Sequence, residues 1–258
     1  MSNSPSAAVT AAVLVIGDEI LSGRTQDTNT AHIARVLGSL GIDLGEARVV
    51  PDVREEIVAA LNALRARYTY VFTTGGIGPT HDDITADAVA AAFGVGIGHH
   101  PEAMTMLAAR YKPGEFNEAR QRMARIPDTA GLIKNSVSTA PGFHIGNVYV
   151  MAGVPMVMRA MLEAITPTLT RGTVVQMETV EAKIPEGRIA AALGQAQKNH
   201  PETAIGSYPF YREDGPGAQF VIRGRNPQAV EAATREIENA IKNEGIEPLR
   251  LPKPGEND

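Results

Sequence analysis

The sequence predicts a three-layer α/β sandwich around a mostly parallel sheet, followed by a small α+β domain of order βαββα. Three observations carry this. Ala11 to Ile16 is a short unbroken apolar run, which is how a strand buried on both faces of a parallel sheet reads. Strand-like and helix-period segments then alternate as far as Ile165. Beyond a linker at Pro167 to Gly172 the rhythm changes to hairpin-paired strands with two helices.

Each element has a local reason. After Ile16 a loop from Gly17 to Asp27 leads into a helix whose Ile33, Val36, Leu37 and Leu40 share one face, stopped by Gly41. A second strand ends at Arg48 to Val50. Asp52 with Glu55 has capping-box spacing for a helix carrying Ile57, Leu61 and Leu64. Tyr68 to Thr73 reads as a third strand, opening into glycines and then a helix from about Thr85 to Phe93, stopped by Gly94. His99 to Arg125 reads as helical and charged, split at Pro113-Gly114. Asn147 to Met151 is another strand, followed by a Met-rich helix to Ile165. The second domain reads as strand Val174 to Lys183, helix Glu186 to Asn199, strands Thr203 to Tyr211 and Gln219 to Arg223, and helix Gln228 to Asn243. Arg212 to Gly217 supplies the hairpin turn. The domains are thus placed at 11–170 and 173–250, with residues 1–10 and the tail 251–258 expected to be disordered.

Composition narrows the function. The 258 residues include no Cys, which excludes disulfides and thiolate metal sites and fits a cytoplasmic location. A formal net charge of −5, with no basic stripe, argues against a nucleic-acid partner. The start MSNSPSAAVT lacks the charged and apolar regions of a signal peptide. No apolar run approaches the about 20 residues that span a membrane, so no membrane partner is expected.

Polar and glycine residues concentrate where strands end, which is where an open parallel sheet binds ligands. Gly17, Asp18 and Glu19 follow the first strand, with Asp27, Thr28 and Asn29 beyond them. Carboxylates there suit a Mg2+ that bridges substrate phosphates, whereas Asp27 and Thr28 read more readily as helix caps. Gly75-Gly76-Ile77-Gly78-Pro79-Thr80 is the strongest cluster, because glycines let backbone N–H groups approach an anion. It is neither a Walker A loop nor a dinucleotide fingerprint. Asp82, Asp83 and Thr85 follow at once, and two adjacent carboxylates beside a phosphate cradle imply an intervening divalent cation. Asp52 is open to two readings, helix cap or crevice residue. Lys134 can pair with phosphate and Asn135 can read a ring edge, while Pro141-Gly142 reads equally as a turn. Gly153 and Pro155 form a strand-to-helix turn. His81, inside the glycine segment, is a proton-transfer candidate.

The motifs Gly17-Asp18-Glu19-Ile20-Leu21-x-Gly23, Asp27-Thr28-Asn29, Thr74-Gly75-Gly76-Ile77-Gly78-Pro79-Thr80-x-Asp82-Asp83-x-Thr85, Asn135 with Ala140-Pro141-Gly142, and Gly153-Val154-Pro155 stand in the order found in CinA-type proteins. From about Val13 to Ile165 the chain resembles that branch of the molybdopterin-binding-domain superfamily. The resemblance implies a fold like MoaB and MogA, with Asp52 and Asp83 at the positions of the two aspartates that serve the pterin phosphate and its Mg2+-dependent adenylylation. For the CinA-type branch it implies a pyrophosphatase acting on ADP-ribose, dependent on Mg2+, Mn2+ or Co2+. The related domain fused to eukaryotic FAD synthase, which can hydrolyse FAD, is similar. The second domain looks like the KH-like spacer of CinA proteins, without a GXXG loop.

The leading expectation is hydrolysis of ADP-ribose or a similar dinucleotide. The N–H groups of Gly75 to Thr80 hold the pyrophosphate, Glu19, Asp82 and Asp83 hold the metal with Asp18 beside them, and Asp52 is the base. The alternatives are a molybdopterin- or nucleotide-binding module without chemistry, and a pterin adenylyltransferase. The partner is a small nucleotide or pterin, and the superfamily implies a homo-oligomer. Two departures stand out. The nicotinamide-mononucleotide deamidase domain of full-length CinA proteins is not in this sequence. Where many relatives read Pro-Gly-Val-Pro-x-Glu, Ala152 and Val157 replace the first Pro and the Glu.

Overall fold

The computed structural model describes residues 8–112, 114–213 and 215–252; of the disorder expected over 1–10 and 251–258, residues 1–7 and 253–258 lie outside the described residues, while Thr10 already belongs to the first strand, paired with Asp43. The chain divides into two compact units, the first ending at Gly172 and the second beginning at Thr173.

The first unit runs β1 (Thr10–Ile16), α1 (Asp18–Leu21), α2 (Asn29–Ser39), β2 (Asp43–Val50), α3 (Arg54–Arg67), β3 (Tyr70–Thr74), α4 (Thr85–Phe93), β4 (Ile97–His99), α5 (Pro101–Ala108), α6 (Glu118–Gln121), β5 (Arg125–Pro127), β6 (Gly131–Ile133), β7 (Gly142–Ile145), β8 (Val148–Met151) and α7 (Pro155–Ile165). Its main sheet has the order β2-β1-β3-β8-β7-β6. The first four strands are parallel, and the last two are joined antiparallel.

Strand β1 explains the layers. Ala12, Leu14 and Ile16 pack into one core with Ile57 and Leu61 of α3 and Val89 of α4. Ala11, Val13 and Val15 pack into the other with Ile33 and Leu37 of α2 and Met158 and Leu162 of α7. Alternation within an unbroken apolar run therefore feeds two cores, and helices cover both faces. Each fully buried Leu or Ile contributes about 1.5–3 kcal/mol.

Several expectations change. The loop after Ile16 contains α1. The third strand starts at Tyr70, because Tyr68 closes α3. The stretch 99–125 holds two helices, α5 and α6, on either side of the expected break, but its ends are strands: His99 belongs to β4 and Arg125 to β5, which pair as a separate two-stranded sheet. Pro113 of the expected break lies outside the described residues. Strands β6 and β7 were not foreseen, being only three and four residues long.

The second unit contains β9 (Gln176–Ala182), α8 (Glu186–Asn199), β10 (Thr203–Arg212), β11 (Gly215–Gly224), α9 (Pro227–Asn243) and β12 (Leu249–Arg250). Its antiparallel sheet has the order β10-β11-β9-β12. Phe220 and Ile222 of β11 and Val180 of β9 pack with Ile189 of α8 and Ile237 of α9. The helix α9 begins where Asn226 accepts hydrogen bonds from the N–H groups of Gln228 and Ala229, 3.0 and 3.4 Å long. The βαββα reading is extended by one edge strand, β12. Arg250 on that strand is held by ion pairs to Glu231 and Glu238, both 2.8 Å.

Candidate functional site

Four parallel strands end side by side. Ile16 pairs with Val50, Val15 with Thr74, and Thr74 with Met151. The segments that follow therefore converge at one sheet edge: Gly17 to Glu19, Asp52, Gly75 to Asp83 and Gly153 to Pro155. Of these, Glu19, Gly75 to Gly78, Asp83 and Gly153 to Pro155 border a cleft of about 520 Å3, within the range of about 300–1,000 Å3 usual for small-molecule sites. Gly75 to Gly78 form one wall, with Glu19 and Asp83 as its charged groups. Met123, Val154, Val157 and Met161 make an apolar wall.

The glycine turn is locked from beneath. The Gly75 N–H donates to the Met151 carbonyl at 3.2 Å. The hydroxyl of fully buried Thr85 donates to the Gly75 carbonyl at 3.0 Å, and the Thr85 N–H to the Gly76 carbonyl at 3.0 Å. Gly75 has φ +104° and Gly76 has φ +66°. A Cβ on the first would strike the carbonyl oxygen of Ile16, and on the second the Thr85 hydroxyl. Both positions require glycine for conformation and for space.

Asp83 closes the turn. Its carboxylate accepts from the Gly78 N–H at 2.7 Å, the Thr80 N–H at 2.8 Å and the Thr80 hydroxyl at 2.5 Å. No side chain caps α4, so neither Asp82 nor Asp83 acts as its cap. Two of the N–H groups expected to face an anion thus belong to Asp83. Those of Gly76 and Ile77 have no partner among the described residues. Pro79 and Thr80 are exposed and lie off the cleft wall.

Asp52 does not cap α3. That helix has no side-chain cap, and Asp52 instead accepts the Asp18 N–H at 3.0 Å across the strand ends. Its carboxyl is pushed above the usual carboxylate value, first by partial burial and then by the negative charges of Asp18, Glu19 and Asp82. The hydrogen bond from Asp18 opposes the shift. Asp82 is exposed. Its carboxyl is held below the ordinary value, first by the polar Thr80 side chain beside it and then by its own backbone N–H.

The remaining sequence candidates divide. Gly153 and Pro155 line the cleft, and the Gly153 carbonyl accepts from the Asn29 side chain at 2.8 Å. Asn29 is a residue the motif reading left without a role: it is buried, and it ties α2 to the turn before α7. Asp27 caps α2, accepting from Asn29 and Thr30, whereas Thr28 makes no cap bond. Gly17 donates to the Val50 carbonyl at 3.2 Å and does not line the cleft.

Four readings are corrected. Lys134 does not face the cleft, because its ammonium pairs with Glu102 at 2.6 Å. Asn135 reads no ligand edge in this arrangement: it bonds the Ala140 carbonyl and the N–H groups of Val137 and Ser138, closing its own loop. Gly142 is buried at the start of β7, where a Cβ would strike the Val150 carbonyl, while Pro141 borders a small depression behind the glycine turn. His81 is fully exposed and borders none of these walls, so it has no substrate-side proton to move.

Comparison with known proteins matches both units to described families. Residues 12–171 match the family described as "Probable molybdopterin binding domain", and residues 174–250 match "FAD synthase, middle domain". A protein of Aeropyrum pernix is 34% identical over 250 residues, spanning 92% of this chain and 93% of the relative. A CinA-like protein of Desulfosudis oleivorans is 34% identical over 237 residues, spanning 88% of this chain but 54% of the relative. The crystal structure of the protein CinA from Thermoplasma acidophilum superposes with a TM-score of 0.60 at 35% identity, over 63% of this chain and 99% of that one. The chain belongs to the probable molybdopterin-binding-domain family, in its CinA-type branch, and carries behind that domain one of the kind found in the middle of FAD synthase.

Proposed function

We propose that the first unit is a metal-dependent pyrophosphatase that hydrolyses ADP-ribose or a similar dinucleotide. The observation that carries this reading is a group of carboxylates around Glu19 of the cleft wall. Asp18, Glu19 and Asp82 all raise the pKa of Asp52 beside a glycine turn with unpartnered N–H groups. A divalent cation there relieves the mutual repulsion and draws in phosphate oxygens. Among the described residues no three His, Asp or Glu side chains converge as a ready metal set. That suits Mg2+, which is commonly bound by one or two carboxylates with water and substrate phosphate as the other ligands. Glu19 and Asp82 would hold it. Asp83, expected in that role, already accepts three hydrogen bonds from the turn.

When bound, the metal supplies charge neutralisation at the phosphates and a lowered pKa for an attacking water. This chain's residues supply the rest. The Gly76 and Ile77 N–H groups bind the diphosphate. The wall of Val154, Val157 and Met161 takes a flat ring and excludes water from it. Asp52, with its pKa raised, is a better proton acceptor than an ordinary aspartate and acts as base. Metal-stripped protein incubated with ADP-ribose or FAD is expected to release AMP only after addition of Mg2+, Mn2+ or Co2+. A folded protein that releases none with any of the three would overturn the assignment.

Val157 favours a second reading, a molybdopterin- or nucleotide-binding module without turnover. It lines the cleft at the position where the CinA-type resemblance implies Glu. Val157→Glu is expected to raise metal-dependent AMP release about 10-fold or more, the scale of a positioned acid–base group. It should destabilise the protein by about 1–3 kcal/mol, because a carboxylate enters an apolar wall. Steady-state kinetics and thermal melts check both. Tight nucleotide binding with no turnover in either form supports the binding module.

A further inference from the structure

We propose that Arg122 binds the diphosphate of the nucleotide held at the glycine turn. The proposal rests on the nucleotide reading of the cleft and names the basic side chain that this reading has so far left out. The charged residues bordering the cleft, Glu19 and Asp83, are acidic, and Asp18, Asp52 and Asp82 add to the same sign nearby. The turn offers fewer donors than its glycines suggest, since Asp83 holds the N–H groups of Gly78 and Thr80. Lys134, the sequence candidate for phosphate, is paired with Glu102. The cleft lining therefore offers a diphosphate no basic side chain, and any such group must come from another element.

Arg122 begins the single 3-10 turn that follows α6, one residue before Met123 of the cleft wall. It borders a small depression that shares Gly76, Ile77, Gly78, Asp83 and Met123 with the cleft. Its one hydrogen bond is a long one, from Nη2 to the Asp83 carbonyl at 3.3 Å. Its Nε is buried with no partner, and Arg122 forms no ion pair among the described residues. The contrast with its neighbour is direct. Arg125 borders the same depression and is taken by Asp87 in a bidentate pair of 3.0 and 2.7 Å. A guanidinium carries five donors, and leaving a buried one unpaired is costly. Its planar fork matches phosphate oxygens. Arg122 thus stands beside the turn with its charge uncompensated, and exchanging its weak carbonyl contact for a phosphate compensates it.

The test compares ADP with adenosine, each titrated calorimetrically into the full chain in the presence of Mg2+. Wild type is expected to bind ADP more tightly than adenosine. Arg122→Met is expected to weaken ADP about 10- to 100-fold, the range for hydrogen bonds to a charged group, and to leave adenosine unchanged. Arg122→Lys should recover part of the loss, and Arg125→Met should leave the ADP-to-adenosine ratio as it is in wild type. Unchanged ADP affinity in Arg122→Met, or equal losses for ADP and adenosine, would reduce Arg122 to a tether of the turn and overturn the proposal while leaving the nucleotide reading in place. Wild-type protein that binds neither ligand overturns both.

Discussion

Asp52→Asn is expected to abolish AMP release while raising the melting temperature of the ligand-free protein at neutral pH. The two effects share one cause. The Asp52 carboxyl is pushed above its ordinary value of 3.8 by burial and by Asp18, Glu19 and Asp82. For an acid whose folded-state pKa is raised, the stabilising contribution is present below the unfolded value and is lost as pH rises through the folded value. Wild type at neutral pH therefore bears the strain of an ionised, crowded carboxylate, and the amide does not. Asparagine keeps an oxygen for the Asp18 N–H, so the tie between strand ends survives. Asp52 retains some solvent, so the gain is at most about 1 kcal/mol. That corresponds to about 2–4 °C for a domain of this size. The advantage should vanish on acidification below the ordinary carboxylate range, and in wild type it should shrink when Mg2+ and nucleotide are added together. An Asn variant no more stable than wild type at neutral pH would show that the carboxylates do not crowd. A variant with full turnover would show that Asp52 is not the base. Removal of a catalytic carboxylate commonly improves stability where the site was built against it.

What the sequence disclosed follows from the range of the interactions involved. Strand β1 was legible because its signal is local: six consecutive apolar residues have no other cheap use than burial on both faces. The glycine turn was legible because Gly75 and Gly76 answer to their own φ angles as well as to Ile16 and Thr85. Residues whose role depends on a distant partner were not legible. Lys134 reads as a phosphate ligand until Glu102 is found beside it, and Asp52 stays open between helix cap and crevice residue until the N–H of Asp18, at the start of α1, is found bonded to it. Asn135 has the right functional groups, but its own loop consumes them. Short strands such as β6 and β12 show no period to read, and their pairing comes from the sheet edge they join. Arg122 carried no motif at all. Its signal is the absence of a counter-ion among the described residues, which only the packed structure displays.

Asp83→Ala is expected to lower turnover at least 100-fold with the secondary structure intact. The arrangement around Asp83 says why the loss should be so large without global unfolding. Three donors, the N–H groups of Gly78 and Thr80 and the Thr80 hydroxyl, converge on one carboxylate. Alanine leaves those donors to water and releases the turn. The beginning of the turn is held separately, by Met151 and Thr85. The stability loss is therefore local, about 1–3 kcal/mol, and appears as faster amide exchange at Gly78 and Thr80 rather than as a lost fold. Asp83→Asn offers one oxygen in place of two and should fall between wild type and alanine in both exchange and turnover. If Asp83 acted on the ligand alone, the two substitutions would reduce turnover with no change in exchange at Gly78. If turnover stayed at the wild-type level in Asp83→Ala, neither the clasp nor the carboxylate would matter to the reaction, and the chemistry would have to be sought around Asp52 alone. The clasp also makes a prediction about order of events. Because Asp83 preforms the turn before any ligand arrives, wild-type protein should show protected Gly78 and Thr80 amides without nucleotide, and added nucleotide with Mg2+ should extend protection to Gly76 and Ile77, the two N–H groups left open for it.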